Sequence, residues 1–497
     1  MARVCRAIFL VLLLTIAAGA AAVETPQRAP PASASTRHAI VLSDRRLDYE
    51  AIAETLPLTD AKGNQTAVIF TVSYLADRAA GAARPVSFVF NGGPGAASVF
   101  LELGALGPRI LATPADGAAP EPPFRLVDNR ATWLGFTDLV FVDPVGTGFS
   151  RGTGNEQDPD KPFYDVHADL ASLAATIRLW LTRHERWRSP IYLVGESYGG
   201  FRAAALAQML PGEGNAPVSG LVLISPALDL SALDPGPRDL LASAFFLPSY
   251  ASVAAVWRPP GDDIAAIERF ALGGYLTGLA VLKGRPPAAD PFIAKIAAIT
   301  GLPAAIVSRN RGRIPRDVFV REIRRPESEV VSVYDGTIAR PAGAGDGGDA
   351  LLRPAAAAFG AAFNAYASEE LAYHTDLPYR VLAREVSRQW NWRDARQQGG
   401  PGLALESLET ALLDHAGTRV LIANGRYDLV TPYLGSRWLV DQLELPHAIR
   451  DAMRVRLYEG GHMLYLRPNS RRALFLDAAQ TYAAPISVAP GAAAPPR

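Results

Sequence analysis

A serine between two glycines, Ser197 in the run Gly195–Gly199, is the most informative local pattern in this chain. The run follows the apolar segment Ile191–Val194 and precedes small residues typical of a helix start. In a strand–turn–helix context, G-x-S-x-G makes a sharp turn that lifts the serine hydroxyl clear of the sheet edge. A hydroxyl is a poor nucleophile at neutral pH unless a base takes its proton and a third group orients that base. The pattern predicts Ser197 as a nucleophile, with a structural serine in a tight turn as the alternative.

Candidate partners for this serine follow two strand-like runs near the end of the chain. Asp428 comes shortly after Leu421–Ala423, and His462 follows a double glycine after Val455–Tyr458. The order serine, acid, histidine is the one expected when a G-x-S-x-G turn sits in an α/β sheet. We therefore predict His462 as general base and then acid, and Asp428 as the group that fixes the imidazole tautomer. Each residue alone would more often be structural than catalytic, whereas their order and context together favour a triad.

A glycine-rich loop provides candidate oxyanion donors. The strand-like run Val86–Phe90 leads into Asn91-Gly-Gly-Pro-Gly95, which can turn backbone N–H groups inward. We predict an oxyanion hole made by the N–H groups of Gly93 and Tyr198, the residue after the nucleophile. A plain Gly/Pro turn is the alternative. A phosphate loop is disfavoured, because neither G-x-G-x-x-G nor a Lys-Ser/Thr pair follows the strand.

Alternating strands and helices must position these residues. The helix pattern is clearest over Asp165–His184, whose apolar residues recur at three- and four-residue spacing. Almost wholly apolar runs indicate strands covered by helices on both faces. These runs are Val68–Tyr74, Val86–Phe90, Asp138–Val142, Ile191–Val194, Leu221–Ile224, Arg419–Ala423 and Arg454–Tyr458.

The strand pattern is interrupted by Ala-rich, helix-like sequence between about residues 230 and 375 and resumes at Arg419. We predict a catalytic α/β domain over 41–229 and 376–485, with a mostly parallel central sheet. The intervening residues 230–375 are predicted to form an inserted helical cap over the active site.

The first residues have the pattern of a targeting signal. Arg3 and Arg6 precede the apolar run Ala7–Ala17, and Ala20–Ala22 supplies small residues for cleavage. We predict a signal peptide over 1–22, with an uncleaved anchor as the alternative, and flexible segments over 23–40 and 486–497. The only cysteine is Cys5, so cleavage would leave no thiol or disulfide. Export to a periplasm or the extracellular space is expected, with no stable membrane insertion after cleavage.

The charge balance excludes some classes of partner. Lys+Arg and Asp+Glu both total 49, so there is no net basic charge to hold nucleic acid. With seven histidines and no His-x-x-x-His spacing, we expect neither a metal site nor a cofactor. The oligomeric state stays open.

Five motifs carry a family resemblance: Asn91-Gly-Gly-Pro-Gly95, Asp143-Pro-Val-Gly-Thr-Gly-Phe-Ser150, Gly195-Glu-Ser-Tyr-Gly199, Asn424-Gly-Arg-Tyr-Asp428 and Gly460-Gly-His-Met463. Together they resemble the serine carboxypeptidases, peptidase family S10 of the α/β-hydrolase superfamily. They occur in the family's order and span most of the chain. The resemblance implies an α/β-hydrolase fold and release of single residues from peptide C-termini through an acyl-enzyme, so peptide substrates are the expected partners.

The resemblance also implies that Asn91 and Glu196 bind the terminal carboxylate of the substrate. Two ionised carboxyl groups repel, so Glu196 can hydrogen-bond a carboxylate only if one of the two carries a proton. Peptide turnover should therefore be better in acid; a solvated Glu196 side chain is the alternative. A further family glutamate that shares in carboxylate binding would map to Glu102, but three additional residues in Glu102–Pro108 displace it by nearly one helical turn from the position that the family pattern implies.

Other departures from the family shape the remaining expectations. Its disulfides are absent, so the cap must be held by packing, as in the bacterial branch. The loop Asp143–Ser150 is either functional or a structural turn, and Trp390–Trp392 is more typical of core than of a ligand platform. Two other functions stay open: an esterase or acyltransferase with the same triad, and a binding relative that has lost activity.

Overall fold

A ten-stranded mixed β-sheet dominates the computed structural model. The structure describes residues 33–483 except 44, 78–82, 155–156, 234–237, 260, 262, 344–347 and 393–402. The strands are β1 (Ser33–Val41), β2 (Arg46–Thr59), β3 (Gln65–Ala76), β4 (Val86–Phe90), β5 (Arg109–Leu111), β6 (Leu126–Asp128), β7 (Asp138–Val142), β8 (Arg151–Gly152), β9 (Ile191–Glu196), β10 (Val218–Ile224), β11 (Glu329–Val331), β12 (Ala339–Pro341), β13 (Arg419–Gly425) and β14 (Met453–Tyr458).

The strand order of the main sheet is β1-β2-β3-β7-β4-β9-β10-β13-β14, with β8 paired to β3. From β7 to β14 every neighbouring pair is parallel, whereas β1, β2, β3 and β7 pair antiparallel. Two small sheets, β5–β6 and β11–β12, lie apart. Each strand-like run recognised in the sequence lies within one of these strands or overlaps it, so the predicted mostly parallel sheet is confirmed.

The helices cover both faces of the sheet. They are α1 (Val99–Leu101), α2 (Val166–Arg183), α3 (Tyr198–Glu213), α4 (Leu240–Trp257), α5 (Ile264–Phe270), α6 (Leu276–Val281), α7 (Pro291–Thr300), α8 (Ala304–Arg309), α9 (Arg316–Glu322), α10 (Leu352–Glu369), α11 (Arg384–Gln389), α12 (Leu403–Asp414), α13 (Tyr433–Asp441), α14 (His447–Ala452) and α15 (Pro468–Ala483). π-Helical turns follow α1 (Glu102–Leu106) and α5 (Ala271–Tyr275).

Side-chain alternation along the strands builds a hydrophobic core on each face. In the fully buried β4, Phe88 packs in one core and Val89 in the other, as the two-residue period of a strand requires. Phe88 contacts Trp180 of α2 edge-on, with ring centroids 5.4 Å apart. The burial of both faces explains why the sequence of this strand is apolar throughout.

The predicted helix over Asp165–His184 is confirmed as α2, and its start follows from a capping residue. Asp165 has extended backbone geometry, and its carboxylate accepts a hydrogen bond of 2.8 Å from the N–H of Ala168. This bond satisfies one of the N–H groups that a helix start leaves without an intrahelical acceptor.

We expect Asp165→Ala to lower the free energy of unfolding by about 1 kcal/mol, the usual value of a lost N-cap. The urea midpoint of the purified protein measures this loss. His167→Ala, an exposed position on the same turn, is the matched control and should change stability by less than about 0.5 kcal/mol. Equal losses in the two variants would contradict the capping role.

The region predicted as a cap contains elements of two kinds. Between β10 and β13 lie α4 to α12 and the small sheet β11–β12, so this part of the chain is an insertion between two sheet strands. Within it, α10 packs against the catalytic domain, and its Phe359 ring lies 5.1 Å from the Phe100 ring after β4. The predicted cap therefore includes a helix that covers the sheet. Its Ala-rich amphipathic pattern predicts a helix but not the surface that the helix covers.

The predicted flexible segment over 23–40 is wrong from Ser33 onward. Residues 33–41 form β1, which pairs in antiparallel register with β2 from Ser33↔Glu54 to Val41↔Arg46. Nine consecutive pairs order a polar segment that has little apolar pattern of its own. The predicted signal peptide over 1–22, the rest of the N-terminal segment and the tail over 486–497 lie outside the described residues.

Within the part of the chain that the structure describes, two helical segments, Leu240–Trp257 and Ile264–Val281, are long and apolar enough by composition to cross a membrane. The first is 67% buried inside the protein and the second 22%. A buried core helix and a membrane span share this composition, so it does not by itself indicate insertion.

Candidate active site

Ser197 occupies the turn between β9 and α3, with the strained backbone angles φ 60° and ψ −124°. The turn is tight enough to require glycine on both sides. A Cβ on Gly195 would lie 1.9 Å from the carbonyl oxygen of Gly199, and one on Gly199 would lie 2.2 Å from that of Phe90. The half-buried Ser197 side chain thus sits at the carboxyl edge of the sheet, in the geometry expected of a nucleophile elbow.

The loops after β13 and β14 bring Asp428 and His462 together. Nδ1 of His462 lies 2.8 Å from Oδ2 of Asp428, and both residues are buried. The same oxygen accepts the hydroxyl of Thr431 at 2.6 Å, and Oδ1 accepts the N–H groups of Val430 and Thr431. Asp428 is therefore held with one oxygen toward the imidazole, which favours a proton on Nδ1 and leaves Nε2 free to act as a base.

Nε2 of His462 is on the side of the ring toward the elbow. It lies 3.9 Å from Oε1 of Glu196, the residue before Ser197. Burial lowers the pKa of His462, but the charge and hydrogen bond of Asp428 outweigh this effect, and the net pKa is raised. A positive charge on this imidazole would thus be stabilised by a fixed carboxylate. The structure brings the three predicted triad segments to one place, and their catalytic roles stay a prediction.

The predicted oxyanion segments meet beside the elbow. A Cβ on Gly92 would lie 2.6 Å from the backbone nitrogen of Tyr198 and 2.9 Å from Cβ of Ser197, so only glycine allows this approach. Gly93 follows with φ +106°, before a cis bond to Pro94. Tyr198 is the first residue of α3, where a helix leaves its N–H without an intrahelical acceptor. The two predicted N–H donors, on Gly93 and Tyr198, therefore lie on adjoining segments next to Ser197.

Asn91 and Glu196 form a buried pair next to the histidine. Nδ2 of Asn91 donates to Oε2 of Glu196, and Oδ1 of Asn91 accepts the N–H of Leu101 at 2.9 Å. Burial raises the pKa of Glu196; His462 and Asn91 oppose this rise, whereas the charge of Asp428 adds to it. The environment thus favours the protonated carboxyl that binding of a carboxylate requires.

Glu102 has a different partner from the one that the resemblance implies. Glu102 is the first residue of the π-helical turn Glu102–Leu106. This turn lies in Glu102–Pro108, the segment that has three residues more than the family pattern. Oε1 of Glu102 accepts the hydroxyl of Tyr74 at 2.7 Å, and that hydroxyl also bonds Tyr366 at 3.1 Å. Burial and the charge of Asp143 raise its pKa well above the usual range, against the effect of the Tyr74 hydrogen bond. Glu102 is therefore hydrogen-bonded within a tyrosine network and not to the Asn91–Glu196 pair.

The loop Asp143–Ser150 is a hydrogen-bonded turn that is linked to the segment after the glycine loop. Oγ of Ser150 donates to the carbonyl oxygen of Asp143 at 2.6 Å, and Oδ1 of Asp143 accepts the N–H of Ser98 at 2.8 Å. Phe149 is buried among aromatic rings of the core, including Phe70. These contacts favour the structural interpretation of this motif.

The aromatic residues Trp390 and Trp392 contact the elbow helix. Both rings meet the Tyr198 ring edge-on, at centroid distances of 5.6 and 5.7 Å. Trp390 is buried and Trp392 partly buried, as in a core.

Sequence reasoning missed three residues around the site. Tyr334, from the insertion, meets the His462 ring edge-on at 5.3 Å, and its carbonyl oxygen accepts the His462 N–H at 2.5 Å. Tyr465 is buried beside Glu196; burial and the charge of Glu196 raise its pKa well above the usual range. Arg202 lies beneath the Asn91–Gly92 segment. Tyr465 is close in sequence to His462, and Arg202 is close to Ser197, which could have placed both near the site. The sequence contains no comparable signal for Tyr334.

No group of three or more His, Cys, Asp or Glu side chains within the described ranges is arranged to hold a metal ion. The groups at the carboxyl edge of the sheet are a hydroxyl, an imidazole oriented by a carboxylate, and backbone N–H donors. Groups of these kinds can together catalyse acyl transfer. The strand order of the sheet and the helices on both of its faces give the chain the α/β-hydrolase fold.

Comparisons with known proteins support a relationship to the serine carboxypeptidases. The family model described as serine carboxypeptidase matches residues 60–219, which include the glycine loop and the elbow but neither Asp428 nor His462. Serine carboxypeptidase-like 8 of Arabidopsis thaliana is 31% identical over 132 residues, 25% of this chain and 27% of that protein. The pheromone-processing carboxypeptidase kex1 of Aspergillus niger is 31% identical over 144 residues, 27% of this chain and 20% of that protein.

The chain thus aligns with about a quarter of the length of these curated relatives. Among solved structures, Kex1(Δ)p, a prohormone-processing carboxypeptidase from Saccharomyces cerevisiae, superposes with a TM-score of 0.55 at 15% identity. This superposition covers 87% of this chain and 91% of that one, and it shows a shared fold.

Proposed function

We propose that this chain is a serine-type carboxypeptidase that hydrolyses the last peptide bond of its substrates through an acyl-enzyme on Ser197. One observation carries the proposal: the buried Asn91–Glu196 pair lies directly beside the Asp428–His462 pair, with Glu196 Oε1 3.9 Å from His462 Nε2. A general esterase has no need of a carboxyl-binding pair next to its base. A carboxypeptidase needs one, because the scissile bond is adjacent to the terminal carboxylate.

The reaction follows from the positions of these groups. Oγ of Ser197 attacks the carbonyl carbon while its proton passes to Nε2 of His462. The N–H groups of Gly93 and Tyr198 stabilise the negative oxygen, and the imidazolium then gives its proton to the amine as the C–N bond breaks. In the second half of the reaction, water attacks the acyl carbon while its proton passes to Nε2 of His462. The imidazolium then gives this proton to Oγ of Ser197 as the ester bond breaks.

Asn91 and Glu196 hold the terminal carboxylate during acylation. The amide of Asn91 supplies a donor, and a protonated Glu196 supplies an O–H to the carboxylate. Burial raises the pKa of Glu196, so this proton stays available at higher pH than it would on an exposed glutamate. Substrates that end in a free carboxylate are therefore placed with their last peptide bond at Ser197.

We also propose that the protein is exported to a periplasm or the extracellular space. The pattern of Arg3, Arg6 and the following apolar run supports export. The only support for placing the chain in the bacterial branch of the family is the lack of cysteine after Cys5. The relatives named above are plant and fungal.

A blocked dipeptide with a free C-terminal carboxylate should be cleaved about 10- to 100-fold faster, in kcat/KM, than its C-terminal amide. Loss of one charge-assisted hydrogen bond costs about 1.5–3 kcal/mol, which corresponds to this range. Steady-state release of the terminal residue in mild acid measures both rates.

Ser197→Ala is the control and should abolish both reactions together with labelling by a fluorophosphonate probe. Equal rates for acid and amide would contradict the carboxypeptidase assignment and favour a general esterase or acyltransferase. A folded wild type without any fluorophosphonate adduct would instead favour a binding protein that has lost activity.

A further inference from the structure

The guanidinium of Arg202 is buried directly beneath the glycine loop. Nη1 donates to the carbonyl oxygen of Asn91 at 2.7 Å and, less closely, to that of Gly92 at 3.4 Å. Its Nε and Nη2 bond both oxygens of Asp169 on α2, at 2.8 and 3.1 Å. The side chains of Arg202 and Asp169 are only 1% and 4% exposed, so the whole arrangement is shielded from water.

Arg202 also contacts the segment that carries the second oxyanion donor. It belongs to α3, the helix that begins immediately after Ser197, and its Cζ lies 4.9 Å from the centroid of the Tyr198 ring. A single rigid side chain therefore touches the glycine loop and the first residue of the elbow helix. A cation over an aromatic face is attracted to it, and this contact adds to the fixed geometry.

The contact with Gly92 bears directly on the predicted oxyanion hole. The C=O of Gly92 and the N–H of Gly93 belong to one planar peptide unit, which in the trans form points the two groups in opposite directions. Arg202 holds the oxygen end from the protein interior, together with the N–H of Ala96 at 3.2 Å. The N–H of Gly93 is thereby turned away from Arg202, and a cation at the oxygen end polarises the unit and strengthens it as a donor.

We infer that Arg202 is a positioning residue for the oxyanion hole: it fixes the Asn91–Gly92 carbonyls so that the N–H of Gly93 is set in advance for the developing oxyanion. The inference rests on the proposed function, since it assigns Arg202 a positioning role at that same site. Asp169 in turn fixes Arg202, and the planar fork of an arginine serves both partners at once, which a lysine cannot do.

A purely structural role would tie α2 to α3 and affect stability without changing turnover of the folded enzyme. Hydrolysis of p-nitrophenyl acetate separates the two roles, because this ester has no terminal carboxylate and needs the oxyanion hole without the carboxyl-binding pair. Preorganised donors act on the transition state, so their loss lowers kcat and leaves KM nearly unchanged.

The test compares Arg202→Met, Arg202→Lys and the double variant Arg202→Met/Asp169→Leu. The double variant removes the pair without leaving Asp169 buried and unpaired, so it keeps the test open if the single Met variant fails to fold. We expect kcat on the ester to fall about 10- to 100-fold, less than the loss of a whole oxyanion donor, with KM within about twofold. Arg202→Lys, which keeps the charge, should recover part of the loss.

Arg186→Met is the matched control, because Arg186 is also buried and pairs with Asp138, at 2.6 Å, at the opposite end of the parallel strands. It should lower stability but leave the kcat of the folded enzyme unchanged. A kcat for the Arg202 variants within about threefold of wild type, or an equal loss in Arg186→Met, would overturn the inference. A wild type that cleaves the ester without preferring peptide acids over amides would count against the carboxypeptidase function alone, and the Arg202 comparison would still hold.

Discussion

Asp428→Asn should slow Ser197-dependent hydrolysis about 10⁴-fold while the protein stays folded. Asp428 is fully buried, and its Oδ2 faces Nδ1 of His462 at 2.8 Å. An asparagine can keep accepting the backbone N–H groups of Val430 and Thr431 with its carbonyl oxygen, as Oδ1 does now. Its NH₂ group would then face the imidazole, which favours the tautomer with a proton on Nε2. That nitrogen could no longer accept the proton of Ser197.

The same substitution removes the charge that raises the pKa of His462. Burial, which lowers this pKa, would then be the larger effect. Because His462 must be neutral to act as a base, the acid limb of the residual activity should move to lower pH. Stopped assays over a range of pH measure both the loss of kcat and this shift.

Ser197→Ala gives the background rate with which the residual rate of Asp428→Asn is compared. The urea midpoint shows whether each variant is folded. A kcat for Asp428→Asn within about tenfold of wild type would show that another group orients the imidazole. Thr431, whose hydroxyl lies 3.1 Å from Nδ1 of His462, would be the first residue to examine in that case.

Local patterns were sufficient for the parts of this protein that depend on neighbouring residues. The elbow at Ser197, the glycine loop after β4 and the capped helix α2 each have a signature within about a dozen residues. The sheet could likewise be predicted from its buried apolar strands. Strand β1 could not, because its order comes from pairing with β2 and not from its own apolar content.

The missed residues of the site depend on contacts between distant segments. Tyr334 reaches His462 from the insertion, and Arg202 on α3 bridges Asp169 on α2 and the Asn91 carbonyl. No spacing in a single sequence relates such positions, so only three-dimensional packing reveals them. The π-helical turn at Glu102 is a similar case, since the additional residues predicted a displaced glutamate but not its Tyr74 partner.

The contacts of Tyr334 also bear on how a chain without disulfides attaches its insertion to the catalytic loops. The carbonyl oxygens of Val333 and Tyr334 accept the N–H groups of Leu429 and His462, at 3.0 and 2.5 Å. The N–H of Gly336 donates to the carbonyl oxygen of Tyr427 at 3.1 Å. This short stretch of the insertion thus adds backbone hydrogen bonds to the loops that carry Asp428 and His462. Movement of the insertion would therefore change the geometry of the site itself.

Glu196→Gln should remove the alkaline decline of peptide hydrolysis. In the proposed mechanism, Glu196 binds the substrate carboxylate only while the two groups share one proton, so kcat/KM should fall about tenfold per pH unit above the apparent pKa of the coupled pair. Burial, with the charge of Asp428, raises the pKa of Glu196, which places this limb at higher pH than for an exposed glutamate. A glutamine is neutral at every pH and keeps an N–H donor for the carboxylate. Two pH units above the apparent pKa, the variant should retain about 100-fold more of its own maximum than the wild type.

The acid limb should stay in place in the same variant. It lies at a pH at which Glu196 already carries its proton, so the equally uncharged glutamine leaves the limb set by His462 unchanged. Profiles with a blocked dipeptide measure both limbs, and p-nitrophenyl acetate should show no alkaline decline in either protein. Glu102→Gln is the matched control, because Glu102 is another buried carboxyl with a raised pKa whose hydrogen bond is to Tyr74. An alkaline limb that persists in Glu196→Gln, or disappears in Glu102→Gln, would mean that a group other than Glu196 shares the proton with the substrate.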